Sequence, residues 1–443
     1  MRVFGKRLAA IAFVFVFAVF FSACGKPQEG TESTFVSPTP APGNDSGSVT
    51  LIIAVAQEKP SPEFDAVVDA FRAENGRYTV KVINYYDVGA SDMNAALDFL
   101  ISDIEDGRGP DMIYLPSFLT NELSRKGHLE NLYKYLDSDI ELGRDSFPAG
   151  LLKSSEVSRG LYTFGSAFYI ITAEGPQEVL GDMGALTYEK LRAAMGEVRE
   201  GVGMLPYGMT RESFVRYSFM VSGDTFLDRN SMISNFECDE YIKILEFAEA
   251  LPSGAPAAGE SLLSLREIKS FSNNSSTGVY AGIPLPSGMD SGSAAVFVSE
   301  EIGIVSSSAN KTVSWNLLRR FLLEKFQLQM AASRFENGAS YLPTNTAALK
   351  KMAEEALPRS GVFYSQGQTT DRQDADKILA LAEGLETVYR DMRDISEHHN
   401  YSPMETIVVK HAALYFEGEK SAKEAAADTG EDIRKYLIKG TID

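Results

Sequence analysis

Between Val49 and Leu115 the chain alternates strand-like and helix-like stretches, and this order limits its fold more than any other feature. Val49 to Ala56 is an apolar, strand-like run. Ser61-Pro62 then offers an N-cap and a first-turn proline, and Phe64, Val67, Val68 and Phe71 recur at the helical period until Asn75-Gly76 stops them. Tyr78 to Tyr86 returns to β-branched and aromatic residues. Met93, Leu97, Leu100, Ile101 and Ile104 mark a second helix, and Asp111 to Leu115 a third strand. A β-α-β-α-β order predicts an α/β layer on a largely parallel sheet, with ligands beyond the carboxyl ends of the strands. Gln57 to Ser61, Asp87 to Ala90 and Pro116 to Phe118 occupy those places.

The rest of the chain stays mixed. Leu161 to Thr172 reads as one extended, aromatic-rich strand, and Thr187 opens a helix carrying Leu191, Met195 and Val198. A helix is predicted over Phe236 to Leu251, with loops at 252–260 and 271–278. Gly278 to Pro286 and Phe297 to Val305 read as strands, and Val313 to Ala332 as one long helix. Only helical patterns follow, at 344–356, 371–392, 402–416 and 420–438.

The N-terminus carries an address. Arg2, Lys6 and Arg7 precede an apolar run from Leu8 to Phe21, which is closed by Ser22-Ala23-Cys24-Gly25. A membrane span needs about 20 apolar residues, so this run reads as an export signal rather than a span. The small residues before Cys24 resemble the lipobox of bacterial lipoproteins, with Phe21 where leucine is usual. That resemblance implies a signal peptide over 1–24, a lipidated Cys24 and a place on the extracellular face of the cell membrane. Residues 25–48 are rich in Gly, Pro, Ser and Thr without an apolar face, and read as a flexible tether. Cys238 is the only other cysteine, so an acylated Cys24 leaves no disulfide within the chain.

The formal charge of -19 comes from 61 acidic and 42 basic residues. Such a field repels phosphate backbones, which argues against a nucleic-acid partner. No Gly-x-Ser-x-Gly elbow, phosphate loop or Cys-x-x-Cys is present, so no catalytic role and no cofactor is predicted. The four histidines, His128, His398, His399 and His411, form no spacing suited to one metal ion. Cys238 stands at a helix start and reads as inert.

A series of short motifs then runs in order through the chain. Gly109-Pro110-Asp111 enters the third strand, and Gly127-His128-Leu129-Glu130-Asn131-Leu132 forms a turn. Leu186-Thr187-Tyr188-Glu189-Lys190-Leu191 starts a helix, and Pro284-Leu285-Pro286-Ser287-Gly288 precedes a strand. Ser314-Trp315-Asn316, Gly338 to Pro343, and Gly418 to Ala425 complete the series. In this order the chain resembles the extracellular solute-binding proteins of bacterial ABC importers (family 1), the class that includes maltose- and oligosaccharide-binding proteins.

The resemblance implies an α/β, two-lobed periplasmic-binding-protein-like fold of the class II type, with the ligand cleft between the lobes. It places the first lobe at 49–168 and 297–348, and the second at 169–296 and 349–443. It implies a monomer that captures a small polar solute, most readily a mono- or oligosaccharide, and delivers it to permease subunits. A surface lipoprotein enzyme acting on polysaccharide, and a binding protein for a peptide or other non-sugar solute, remain open alternatives. Sugar binding needs flat aromatic faces and planar hydrogen-bonding groups. The candidates are Gln57, Glu58, Tyr86 and Asp87, Ser117, Phe168, Tyr207 and Arg211, and Tyr389. Tyr85 and Tyr86 divide packing and ligand contact between them. Phe168 and Tyr169 face opposite ways on one strand, so only one reaches the cleft, and Phe168 is the candidate. Trp315, the single tryptophan, is assigned to packing.

Overall fold

The computed structural model describes residues 49–55, 62–85, 87–90, 93–115, 117–157, 159–176, 186–195, 203–205, 209–228, 231–251, 261–271, 278–280, 286, 295–298, 301–336, 341–356, 376, 378–379 and 403–439. The leader, Cys24 and the tether lie outside these residues. Among the described residues no helix is long and apolar enough to cross a membrane.

In chain order the elements are β1 (Val49–Val55), α1 (Pro62–Glu74), β2 (Tyr78–Asn84), α2 (Met93–Glu105), β3 (Met112–Leu115), α3 (Ser117–Arg125), α4 (Tyr133–Leu136) and α5 (Ala149–Ser154). A hairpin of β4 (Glu156–Val157) and β5 (Gly160–Leu161) leads to β6 (Thr163–Gly165) and β7 (Ala167–Pro176). Next come α6 (Tyr188–Met195), α7 (Arg211–Phe226), the hairpin β8 (Leu227–Asp228) and β9 (Ile233–Ser234), α8 (Asp239–Glu249), β10 (Ser264–Ile268), β11 (Gly278–Tyr280), β12 (Ala295–Val298) and β13 (Glu301–Ile304). The chain continues with α9 (Lys311–Leu322), α10 (Glu324–Glu336), β14 (Leu342–Pro343), α11 (Thr346–Ala356), α12 (Pro403–Phe416) and α13 (Ala422–Lys439).

The first sheet has the order β2-β1-β3-β13-β6. β1 runs parallel to β2 and β3, as the alternating order requires, whereas β13 is antiparallel to β3 and β6. Apolar residues of both faces of β1 and β3 are buried, as a sheet covered by helices on each side demands. Leu51, Ile53, Val55, Met112 and Tyr114 meet Phe64, Val67, Val68 and Phe71 of α1 and Leu317, Leu318 and Phe321 of α9. Ala54, Ile113 and Leu115 meet Leu97, Leu100, Ile101 and Ile104 of α2.

The Gly-Pro-Asp motif works structurally. Asp111 accepts hydrogen bonds from the Ile52 backbone N–H (2.9 Å), the Ser308 hydroxyl (2.6 Å) and the Asn310 side-chain amide (3.1 Å), joining β1 to the segment after β13. A Cβ on Gly109 would fall 2.8 Å from Ile104, so the close approach of loop to α2 requires glycine there.

The second sheet is built on β7, with β10, β11, β12 and β14 all antiparallel to it. The two faces of β7 serve different cores. Phe168 and Ile170 pack with the core that holds β1, α1 and α9. Tyr169, Ile171 and Ala173 pack with a core formed by α6, α7, α8, α12 and α13.

Three expectations need correction. The single strand predicted over Leu161 to Thr172 is three strands in three sheets: β5, β6 and β7. The strand predicted over Phe297 to Val305 is likewise divided, β12 lying on β7 and β13 on β3. Gly165 and Ala167 flank the first sheet change, and Val298 and Glu301 the second; all four are buried, so burial does not mark either change of sheet. The long helix at Val313 to Ala332 is interrupted at Leu323, whose ψ of 138° is extended. Side chains take up the carbonyls freed there: Gln327 Nε2 donates to Phe321 O (3.0 Å) and Asn345 Nδ2 to Leu322 O (3.1 Å). Beyond these, α7 is a helix that the helical period does not reveal. Residues 214 to 219 are all buried, so this helix has no polar stripe to define a period.

Candidate functional site

The parallel strands β1, β2 and β3 end at one edge of the first sheet, and antiparallel β13 begins there, with Glu301 opposite Leu115 and Gly165. Gln57 and Glu58 follow β1 and lie outside the described residues, as does Tyr86. Tyr85 is buried, and its hydroxyl donates to Asp103 of α2 at 3.0 Å. Burial and the neighbouring Asp103 carboxylate hold that phenol well above its usual range. Tyr85 is therefore the packing member of its pair. Asp87 is exposed, in a turn closed by its N–H on Asn84 O (3.0 Å). Ser117 is the first residue of α3, at the end of β3.

The same edge holds a buried carboxyl group that the sequence does not single out. Glu301 Oε2 accepts from the hydroxyls of Thr120 (2.7 Å) and Thr163 (2.6 Å), and all three residues are fully buried. Next to it, the joint between β6 and β7 is held by Thr344, whose hydroxyl donates to Gly165 O (2.9 Å) and whose N–H donates to Ser166 O (3.3 Å).

Where the chain passes to the second sheet, the alternation on β7 decides between Phe168 and Tyr169. Phe168 is fully buried and presents no face to solvent. Tyr169 pairs across the sheet with Phe297; their rings stack at 4.9 Å, and Tyr341 lies 6.0 Å from Tyr169. The Lys269 ammonium sits 4.7 Å from the centre of the Tyr169 ring. Phe297 and Tyr341 are only partly buried. This aromatic group is absent from the sequence-based candidates because its members come from three distant segments.

Arg211 is the first residue of α7, capped by Thr210, whose side chain accepts from Ser213 N (3.2 Å). Its guanidinium lies 5.2 Å from the Phe416 ring at the end of α12, and its Nε is buried without a hydrogen bond among the described residues. Tyr207 and Tyr389 lie outside the described residues. Asp87 and Ser117 thus share one sheet edge, while Arg211 stands on the helical core of the second sheet. A cavity of about 680 Å³ is lined in part by Glu141, Asp145, Asn345 and Lys350, and none of the residues predicted from sequence lines it. Trp315 is buried, stacked on Tyr135 at 5.3 Å. Cys238 is half-buried, and burial raises its thiol above the usual range, which disfavours the nucleophilic thiolate.

No protein-family model matches the sequence, and comparison with curated proteins finds no match. Solved structures do match the fold. The sugar-binding protein MalE from the phytopathogen Xanthomonas citri is 16% identical, with a TM-score of 0.57, covering 88% of this chain and 98% of that one. An ABC transporter solute-binding protein from Thermotoga lettingae, bound with α-D-tagatose, is 14% identical, with a TM-score of 0.53, covering 88% and 100%. A de novo designed cysteine esterase is 12% identical, with a TM-score of 0.58, covering 89% and 100%. At such identities the likeness is one of fold. The chain has the α/β, two-lobed fold of periplasmic solute-binding proteins.

Proposed function

We propose that this protein captures a small polar solute, a mono- or oligosaccharide, between two lobes and hands it to the permease of an ABC importer. The observation that supports this reading is the passage of the chain from the first sheet to the second and back within a few residues, between β6 and β7 and between β12 and β13. Short strand-to-strand joints suit hinge closure of one lobe on the other. In this reading the first lobe comprises 49–168 and 297–348, the second 169–296 and 349–443. The first lobe offers Gln57, Glu58, Tyr86, Asp87 and Ser117 to the solute, and the second Tyr207, Arg211 and Tyr389. Phe168 serves from beneath, as packing under the hinge. The sugar class is supported by the neighbours of similar fold that carry sugars. Cys24, lipidated, holds the body at the extracellular face of the cell membrane, and residues 25–48 give it reach.

Protein lacking residues 1–24 is expected to show saturable binding to a member of a mono- and oligosaccharide panel by calorimetry, and to return it chemically unchanged. Turnover of the bound sugar would overturn the binding-only reading. Binding confined to peptides would move the solute class. For the anchor, mass spectrometry of the mature N-terminus is expected to find a lipid-modified Cys24. An unmodified N-terminus elsewhere would remove the membrane attachment.

A further inference from the structure

Glu301 has none of its surface exposed, yet it carries a carboxyl group. Taking such a group out of water is unfavourable unless its oxygens are hydrogen-bonded, and a leucine would fill the space without that demand. The two hydroxyls on its Oε2 belong to different elements, Thr120 to α3 and Thr163 to β6. Their own oxygens lie 3.3 Å apart, closing a three-membered knot. Each member adjoins a working part of the molecule. Thr163 opens β6, which ends one residue before β7, the first crossing strand. Glu301 opens β13 just after the crossing strand β12. Thr120 lies in the first turn of α3, the helix that begins at the ligand edge with Ser117. At the other end of α3, the Arg125 guanidinium lies 5.8 Å from the ring of Tyr436 on α13, which packs on the second core.

We infer that Glu301 is a positioning residue, which ties both crossing joints to the helix at the ligand edge. Its role in binding rests on the solute-capture reading above; the mechanical tie does not. The carboxyl confines bending to the residues beyond the knot and keeps the first turn of α3 in register with the sheet edge while the lobes move. Hydroxyl–carboxyl bonds suit this, because they are directional and fix relative position, whereas apolar contacts allow sliding.

Hydrogen exchange on the full chain, purified in detergent without ligand, tests the tie. Thr163→Val is expected to speed exchange of the α3 amides about tenfold, and Thr120→Val to do the same for 163–168 and 301–304, each across the knot. Glu301→Gln keeps one oxygen able to accept both hydroxyls and is expected to exchange nearly as the wild type does. Loosening confined to the substituted element would overturn the inference, as would loosening spread evenly over the molecule. With maltose as probe, Thr120→Val is expected to weaken binding roughly tenfold without changing the number of sites. If the wild type ignores maltose, capture of that sugar is refuted and the exchange result alone decides the knot. If maltose binds equally to both, the positioning role falls while solute capture stands.

Discussion

Glu405→Ala is expected to destabilise the protein by about 3–5 kcal/mol, because it takes the carboxylate away from a buried arginine. Glu405 on α12 accepts from Arg216 Nε of α7 at 2.7 Å, with side chains 0% and 6% exposed. The two helices also bury Phe214, Val215, Phe219, Ile407 and Val408 in the same core, and neither charged side chain of the pair is open to water. The pair itself is not expected to be a large net gain, since desolvating two charges offsets most of their attraction. Replacing both partners together, Arg216→Met with Glu405→Leu, is therefore expected to fall within about 2 kcal/mol of the wild type, on either side. Urea unfolding followed by circular dichroism measures both. A Glu405→Ala variant within about 1 kcal/mol of wild type would mean that water reaches the pair. The same burial explains why α7 escapes prediction: the carboxylate that Arg216 pairs with lies 189 residues away.

The second large effect is pH-dependent. Asp139 accepts a fork from Arg319, at 2.7 and 2.8 Å, and a hydrogen bond from the Trp315 indole at 3.0 Å. The backbone N–H groups of Glu141 and Leu142 add two more, at 3.0 and 3.1 Å. Burial by itself would raise this carboxyl, but the Arg319, backbone and Trp315 hydrogen bonds together outweigh it and bring the pKa from 3.8 to about 2. The folded value thus lies below the unfolded one. The stabilisation is fully present above about pH 4–5 and fades as pH falls towards 2. It amounts to about 2 kcal/mol at neutral pH. Asp139→Asn is expected to lose that amount at pH 7 and almost nothing at pH 2, flattening this part of the acid limb. Trp315 is the only tryptophan in the chain, so its fluorescence reports the site directly. An acid limb of unchanged steepness in the variant would show that other carboxylates govern it.

Much of the first sheet is legible from residue order. Phe64, Val67, Val68 and Phe71 are each 1% exposed, so the helical period read on α1 is its packing face. The C-terminal helical pattern at 420–438 matches the helix Ala422–Lys439, which is capped by Ser421 N donating to Glu424 (2.8 Å) and Glu424 N to the Ser421 hydroxyl (3.3 Å). These features depend on neighbours three or four residues apart. The breaks between β6 and β7, between β12 and β13, and between α9 and α10 depend on partners far along the chain, such as Thr344 on Gly165 and Asn345 on Leu322. Of the candidate site, the sheet edge with Asp87 and Ser117 follows from the β-α-β order. The Glu301 knot does not, because Thr120 and Thr163 are 181 and 138 residues away from it.

Phe168 and Tyr169 mark the division most clearly. Residue order alone determines that they point to opposite sides, because successive side chains of a strand alternate. It also determines the alternating α/β layer, through periods set by backbone geometry. Which side is which belongs to the tertiary structure. Phe168 enters the core shared with the first sheet, and Tyr169 joins Phe297, Tyr341 and Lys269, only because β7 lies in the second sheet with a different set of helices on each face. Local geometry fixes relative direction; absolute direction depends on which distant segments arrive to bury each face.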